Sequence, residues 1–211
     1  MVLRKIMGLF VCVLVLSSAA LATAGIPDPD ETDALMNGVT SETVVLFNLP
    51  NAGGSAFDEA QIYNDGTIID ATITMVVKDI YGAVVADFPS EDMYLVSDDG
   101  GMVPCVGGSA ADFTTNAAGE TSWETALNAG GWSLGFCEVV VNGLTLNQPP
   151  FAMHFNSADM NGDGTVNLTD IGLFSSVYWN AYDFSADFHA DGVLDLVDVG
   201  RLATGSGTSC P

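Results

Sequence analysis

Ile69-Asp-Ala-Thr-Ile-Thr-Met-Val-Val-Lys78 alternates between two kinds of side chain. Ile69, Ala71, Ile73, Met75 and Val77 are apolar, whereas Asp70, Thr72, Thr74, Val76 and Lys78 are mostly polar. Successive side chains of an extended chain point to opposite faces. The stretch therefore predicts a strand with one face in a core and the other toward water. The flanking sequence continues in the same manner. Thr43–Phe47 is rich in β-branched residues, Phe136–Val141 is an apolar strand-like run, and Tyr81-Gly82 and Asn116–Gly119 carry turn residues. Short strands at regular intervals, without a sustained helical period, predict a β-sandwich over residues 41–156.

Two segments narrow the reading. Asp70-Ala-Thr-Ile-Thr-Met-Val-Val-Lys-Asp-Ile-Tyr-Gly-Ala-Val-Val-Ala-Asp-Phe88, through Asp79, Gly82 and Val85, resembles the strand–turn–strand opening of bacterial immunoglobulin-like domains of the invasin type. Thr114-Thr-Asn-Ala-Ala-Gly-Glu-Thr-Ser-Trp123 resembles the later hairpin of the same domains, centred on Asn116 and Gly119. Ala83 departs from the family, which usually places Asn before Pro at that turn.

Charge bounds the function. The 211 residues include 27 Asp and Glu against 4 Lys and Arg, a formal net charge of −23. Arg4 and Lys5 lie at the extreme N-terminus, leaving only Lys78 and Arg201 beyond it. Such a surface repels phosphate backbones and anionic lipid, which excludes nucleic-acid partners and makes multivalent cations the natural counterions. Met1–Lys5 is basic, Ile6–Leu16 is apolar and Ser17–Ala24 turns small, the three-part layout of a secretory signal peptide cleaved after Ala24. The apolar core is shorter than the roughly 20 residues a membrane span needs. Residues 1–24 are therefore expected to be removed, residues 25–40 to form a flexible acidic leader, and the mature chain to be secreted, extracellular or at the cell surface without a transmembrane segment. Export permits disulfides. Cys105 and Cys137, in one domain, are the expected pair, with Cys210 left near the C-terminus.

The strongest signal is a repeat. Ser157-Ala-Asp-Met-Asn-Gly-Asp-Gly-Thr-Val-Asn-Leu-Thr-Asp-Ile-Gly172 aligns without gaps on Ser185-Ala-Asp-Phe-His-Ala-Asp-Gly-Val-Leu-Asp-Leu-Val-Asp-Val-Gly200. Each copy follows the calcium-loop spacing of an EF-hand, with ligand residues at positions 1, 3, 5, 9 and 12 and Gly at 6. A hard cation of this size takes six to eight oxygens at roughly 2.3–2.6 Å, more than one helix or strand face can aim inward. The first loop offers Asp159, Asn161, Asp163, the Thr165 carbonyl, Asn167 and Asp170. The second offers Asp187, His189, Asp191, the Val193 carbonyl, Asp195 and Asp198. Imidazole is a poor calcium ligand, so the second site is expected to be the weaker. Water in place of His189, with the ring turned outward, is favoured over direct ligation. Without metal the clustered carboxylates would repel one another, so binding and folding of this segment should be linked.

Position 12 is Asp in both copies, and Pro149-Pro150 leaves no room for a helix entering the first loop. A paired loop–helix unit of this kind, over Ser157–Thr204, resembles the type I dockerin module. The resemblance implies two bound calcium ions, docking onto a cohesin domain, and recognition through positions 10 and 11, here Leu168, Thr169, Leu196 and Val197. These are more apolar than the family's Ser-Thr pair, so the partner is expected to be a cohesin-like or other extracellular protein, the alternative being that the chain's own sandwich domain covers these residues. Helices are expected over Leu168–Tyr178 and Leu196–Leu202, capped by Asn167 and Asp195, with Tyr178, Trp179 and Tyr182 packed between them. The fold class expected is mainly β: an immunoglobulin-like β-sandwich followed, at residues 157–211, by a small α-helical, dockerin-like module of paired EF-hand units.

No nucleophile–base motif is present, and His154 and His189 sit near the linker and in a loop, so the chain reads as non-catalytic. The leading expectation is an exported protein whose calcium module attaches an immunoglobulin-like domain to a partner. One alternative makes the module an intramolecular stabilising cap on an adhesive or structural protein. Another makes the chain a glycan-binding accessory of polysaccharide degradation, through Trp123 or Trp132; dockerin-like modules travel with such enzymes.

Overall fold

The computed structural model describes residues 25–38 and 41–211. The signal peptide expected over residues 1–24 lies outside them. In chain order the strands are β1 (Asp33–Met36), β2 (Val44–Asn48), β3 (Ala60–Ile62), β4 (Ile68–Ile69), β5 (Ile73–Val76) and β6 (Met93–Ser97). They continue with β7 (Met102–Pro104), β8 (Glu120–Trp123), β9 (Ala129–Gly131), β10 (Cys137–Val141), β11 (Leu144–Thr145) and β12 (Met153–Ser157). Two helices follow, α1 (Leu168–Tyr178) and α2 (Leu196–Gly205). Strand orders β1-β5-β8, β11-β10-β6, β12-β2-β3-β4 and β7-β9 make four small sheets.

The alternation at Ile69–Lys78 is realised: Ala71, Ile73, Met75 and Val77 are buried in the main core, with Ile69 packed against it. β1 pairs antiparallel with β5, Ala34 opposite Met75. The flexible leader expected over residues 25–40 is thus corrected at Asp33–Met36, where the backbone is satisfied by a neighbouring strand. The turns at Asp79–Gly82 and Asn116–Gly119 close through Gly82 N–H and Gly119 N–H donated to the carbonyls of Asp79 and Asn116.

β2 organises the rest. All five of its residues are buried, as a strand covered on both faces requires. Val44 and Leu46 enter the main core. On the opposite face Phe47 joins Leu49, Ala158, Met160, Val166, Phe174, Phe188 and Leu202, while Val45 joins Phe184 and Ala190. β12 runs parallel to β2, from Met153 opposite Val44 to Ser157 opposite Asn48. The boundary expected at Asn156 therefore falls inside a paired strand.

This arrangement overturns the expected fold class. Among the described residues the chain is mainly β in several sheets, with only two short α-helices, and no separate α-helical module of paired EF-hand units is formed. Helices of 11 and 10 residues bury too little surface to stand alone. Their apolar side chains complete a core that β2 already supplies. Among the described residues no backbone hydrogen bond joins the two acidic loops. Val166 bonds instead to the C-terminal tail, its N–H to Thr208 O at 2.9 Å and its carbonyl to Gly207 N at 2.9 Å.

The expected disulfide is also corrected. Cys105 is bonded to Cys210, at a sequence separation of 105 and with Cα atoms 5.6 Å apart. Cys137 is a buried free thiol. It lies on β10 and faces the main core, where burial pushes its thiol pKa far above the usual range. Among the described residues no helix is long and apolar enough to cross a membrane.

Candidate metal centre

β12 delivers the first loop directly. Ser157, its last residue, is fully buried and accepts the Asp159 N–H at 3.1 Å on Oγ. Asp159, also fully buried, takes Gly164 N–H on Oδ2 at 2.8 Å and Asp163 N–H on Oδ1 at 3.2 Å. Asp170 closes the loop from the first turn of α1, accepting Asn167 N–H at 2.9 Å and Asn161 N–H at 3.3 Å. Asn167 returns the contact as the helix cap, its Oδ1 accepting Thr169 N–H at 2.7 Å. This reciprocal capping fixes where α1 begins and holds Asp159 and Asp170 in one loop.

The second loop repeats the pattern. A short turn at Phe184–Ala186, capped by Asp183, leads into it. Asp187 Oδ2 accepts Gly192 N–H at 2.9 Å and the Tyr182 hydroxyl at 2.9 Å. Asp198 accepts Asp195 N–H at 2.9 Å and His189 N–H at 3.0 Å. Asp195 caps α2 through Val197 N–H at 2.7 Å. His189 Nδ1 lies 3.0 Å from Asp191 Oδ2, so the ring engages its own loop. The residues at position 9, Asn167 and Asp195, serve here as helix caps.

Asp159, Asp170, Asp187 and Asp198 are all fully buried, and no Lys or Arg pairs with any of them among the described residues. Arg201 is half-buried in the second loop's neighbourhood. It donates to Phe188 O at 2.7 Å and lies 5.3 Å from the Phe47 ring centroid. Burial pushes the carboxyls of Asp159 and Asp198 above the usual carboxylate range. Like charges add to this, from Asp170 and Asp163 on Asp159 and from Asp187 and Asp195 on Asp198. A buried carboxylate without a counter-charge costs several kcal/mol.

Among the described residues no three His, Cys, Asp or Glu side chains converge as a ready-made cation cage; the carboxylates are turned onto N–H groups of their own loops. Two features of the donor set suit a hard divalent cation. The donors are oxygens throughout, His189 excepted. In addition, Asp187 Oδ1 is buried with no hydrogen-bond partner, and native proteins rarely tolerate such an atom without an ion or water.

The residues expected to recognise a partner are at the surface. Leu168 is 83% exposed and Leu196 is 78% exposed; Thr169 and Val197 are exposed beside them. The body of the protein does not cover them. Trp179, expected between the helices, is 84% exposed. It borders an apolar groove of about 340 Å³ between α1 and α2, lined also by Phe174, Tyr178, Leu196 and Leu202. Of the two tryptophans considered for glycan binding, Trp123 is buried and donates its indole N–H to Ser109 O at 3.1 Å. Trp132 is partly exposed.

Three supporting contacts escape sequence reasoning. Asn156 donates to Phe184 O at 2.6 Å and Asp187 O at 2.9 Å, tying β12 to the second loop. Tyr182 is a donor to Asp187 in addition to being an aromatic. Gly130 backs the first loop so closely that a Cβ there would lie 2.0 Å from Asp159 Oδ2. The adjacent pair Gly130-Gly131 was the available signal, since glycine inside a strand marks close approach of another chain.

No family model matches the chain, and no curated protein matches it. Among solved structures it is similar to the Lin-41 filamin domain at 14% identity, over 62% of this chain and 97% of that one, with a TM-score of 0.30. A likeness of that strength carries no argument about fold or function.

Proposed function

We propose that each acidic loop binds one Ca2+ and that the protein is an exported, non-catalytic attachment protein. In this reading the ions hold α1 and α2 in place to meet a protein partner. The observation that carries it is the set of four fully buried aspartates, two per loop, none in an ion pair with Lys or Arg among the described residues, and with Asp187 Oδ1 left without a hydrogen bond. Arg201 acts on Asp198 and Asp187 through charge without an ion pair; calcium would supply positive charge at the carboxylates themselves. The charged residues of α1 and α2 are Asp170, Asp198 and Arg201. The two aspartates are buried, and Arg201 bonds inward to Phe188. On a chain of net charge −23, the uncharged outer face of the helices suits an apolar protein surface, cohesin-like or otherwise, better than a polyanion.

Calorimetric titration of the full chain with calcium tests the reading. Two sites of unequal strength are expected, with Asp159→Ala abolishing one and Asp187→Ala the other. Absence of binding in the unsubstituted chain would remove the basis of the proposal. Capture of an extracellular partner should be lost in chelator and in Leu168→Asp/Leu196→Asp, a variant in which calcium binding persists.

A second reading is favoured by the core that β2 shares with both helices. The ions would then serve the fold alone. Calcium-dependent stability without any partner captured would select it.

A further inference from the structure

The first loop has a covalent strap that the second lacks. After α2 the tail turns back along the first loop. Gly207 N–H donates to Val166 O at 2.9 Å, Val166 N–H to Thr208 O at 2.9 Å, and Cys210 N–H to Gly164 O at 2.8 Å. Thr165 and Ser209 are opposed as an antiparallel bridge. Carbonyls alternate in direction along an extended chain. Because the tail engages Gly164 and Val166, the Thr165 carbonyl faces the other way, where Asn167 Nδ2 donates to it at 3.2 Å. Thr165 is the position-7 carbonyl of the loop. The tail therefore sets the direction of a ligand that no side chain can adjust.

The disulfide fixes the tail. Cys210 is bonded to Cys105, just beyond β7, and a Cβ on Gly164 would lie 3.0 Å from Cys210 Sγ. Gly164 has a φ of +84°, and its N–H donates to Asp159 at 2.8 Å. Sulfur, glycine and buried aspartate thus form one chain of contacts. In the second loop the matching Gly192 faces Asn64 of the β3–β4 turn, whose Oδ1 would lie 3.5 Å from a Cβ there. No covalent link holds that turn.

We infer that the Cys105–Cys210 disulfide is a positioning device that sets the calcium affinity of the first loop, so that the site responds to the thiol redox state of its surroundings. This rests on the calcium reading above and adds its regulation. A dithiol reductant supplies the chemistry. One thiolate attacks a sulfur of the bridge and the other protein sulfur leaves as thiolate. The reductant's second thiol then closes its own disulfide, leaving Cys105 and Cys210 as two thiols and the reductant oxidised by two electrons. Cys137 is buried on β10 and takes no part in the exchange.

Calcium affinity is measured in two backgrounds, Asp187→Ala to read the first loop and Asp159→Ala to read the second, each oxidised and after dithiothreitol. The Cys105→Ser/Cys210→Ser pair is run beside them to separate loss of the bond from effects of the reductant. Loss of the bond should weaken the first loop roughly 10–100-fold, the usual effect of losing an outer support of a metal ligand. The second loop should hold within about twofold of its oxidised value, and its binding reports that the protein is still folded. An unchanged first loop, or an equal loss at both loops, would overturn the inference while leaving the calcium reading intact. Absence of binding in the oxidised, unsubstituted chain would instead overturn the calcium reading, and this inference with it.

Discussion

Gly130 and Gly172 show how differently two glycines of one chain are constrained. Gly130 lies against Asp159, and a methyl group there would sit 2.0 Å from Oδ2 and 2.7 Å from Cγ of a fully buried side chain. Gly172 lies on α1 with nothing within 4 Å of the corresponding point. Gly130→Ala should therefore displace the Asp159 carboxylate, destabilise the fold by about 1–3 kcal/mol and weaken calcium at the first loop. Gly172→Ala should leave calcium binding alone and raise stability by up to about 1 kcal/mol, since alanine is the better helix former. Denaturant unfolding and calcium titration of the two variants, side by side, check both signs. If Gly130→Ala binds calcium as the parent does, Asp159 is not held where its function requires.

At the scale of elements, β2 joins the sheet body to the loops. Phe47 sits 5.5 Å from Phe188, centroid to centroid, under Arg201 and inside the cluster that contains Phe174 and Leu202. Phe47→Ala should cost roughly 3–5 kcal/mol, and circular dichroism should show α1 and α2 melting together with the strands. A loss confined to the helices would mean the two cores are independent. The elements also mark what the sequence could disclose. The alternation at Ile69–Lys78 was legible because its period is local. So were the caps Asn167 and Asp195 with Asp170 and Asp198 three residues on, because capping is a contact within one turn. Asp33–Met36 was not legible, since only Ala34 of its four residues is buried and β5 holds the rest through backbone bonds. Val44–Phe47 was legible as a strand but not as one covered on both faces, because the residues that cover its second face follow it by more than a hundred positions. Cys105 and Cys210 are joined by the same long-range packing, which spacing within a domain cannot foresee.

For the whole molecule, the disulfide and the two-sided strand β2 tie the sheets, the acidic loops and the helices together. Joining Cys105 to Cys210 closes a loop of 105 residues, which in the chain-entropy account contributes roughly 4–5 kcal/mol. Calcium should add to this by mass action. At a hundred times the dissociation constant, each site contributes about 2.7 kcal/mol, so two sites contribute roughly 5 kcal/mol. For a chain of this length that corresponds to about 10–20 °C in Tm. The rise should occur in one transition, because the apolar core beneath the loops takes Phe47 from β2 as well as Phe174 and Leu202 from the helices, and β12, which leads into the first loop, is paired with β2. The same reasoning makes residues 157–211 insufficient alone. Cut away from Phe47 and Leu49, the fragment loses the apolar floor on which Phe174, Phe188 and Leu202 rest, and it loses Cys105. It should stay largely unstructured by circular dichroism even in millimolar calcium, whereas the full chain gains stability under the same conditions. A fragment that folds cooperatively on adding calcium would show that the acidic loops carry their own core, and that the contact with β2 is incidental to them.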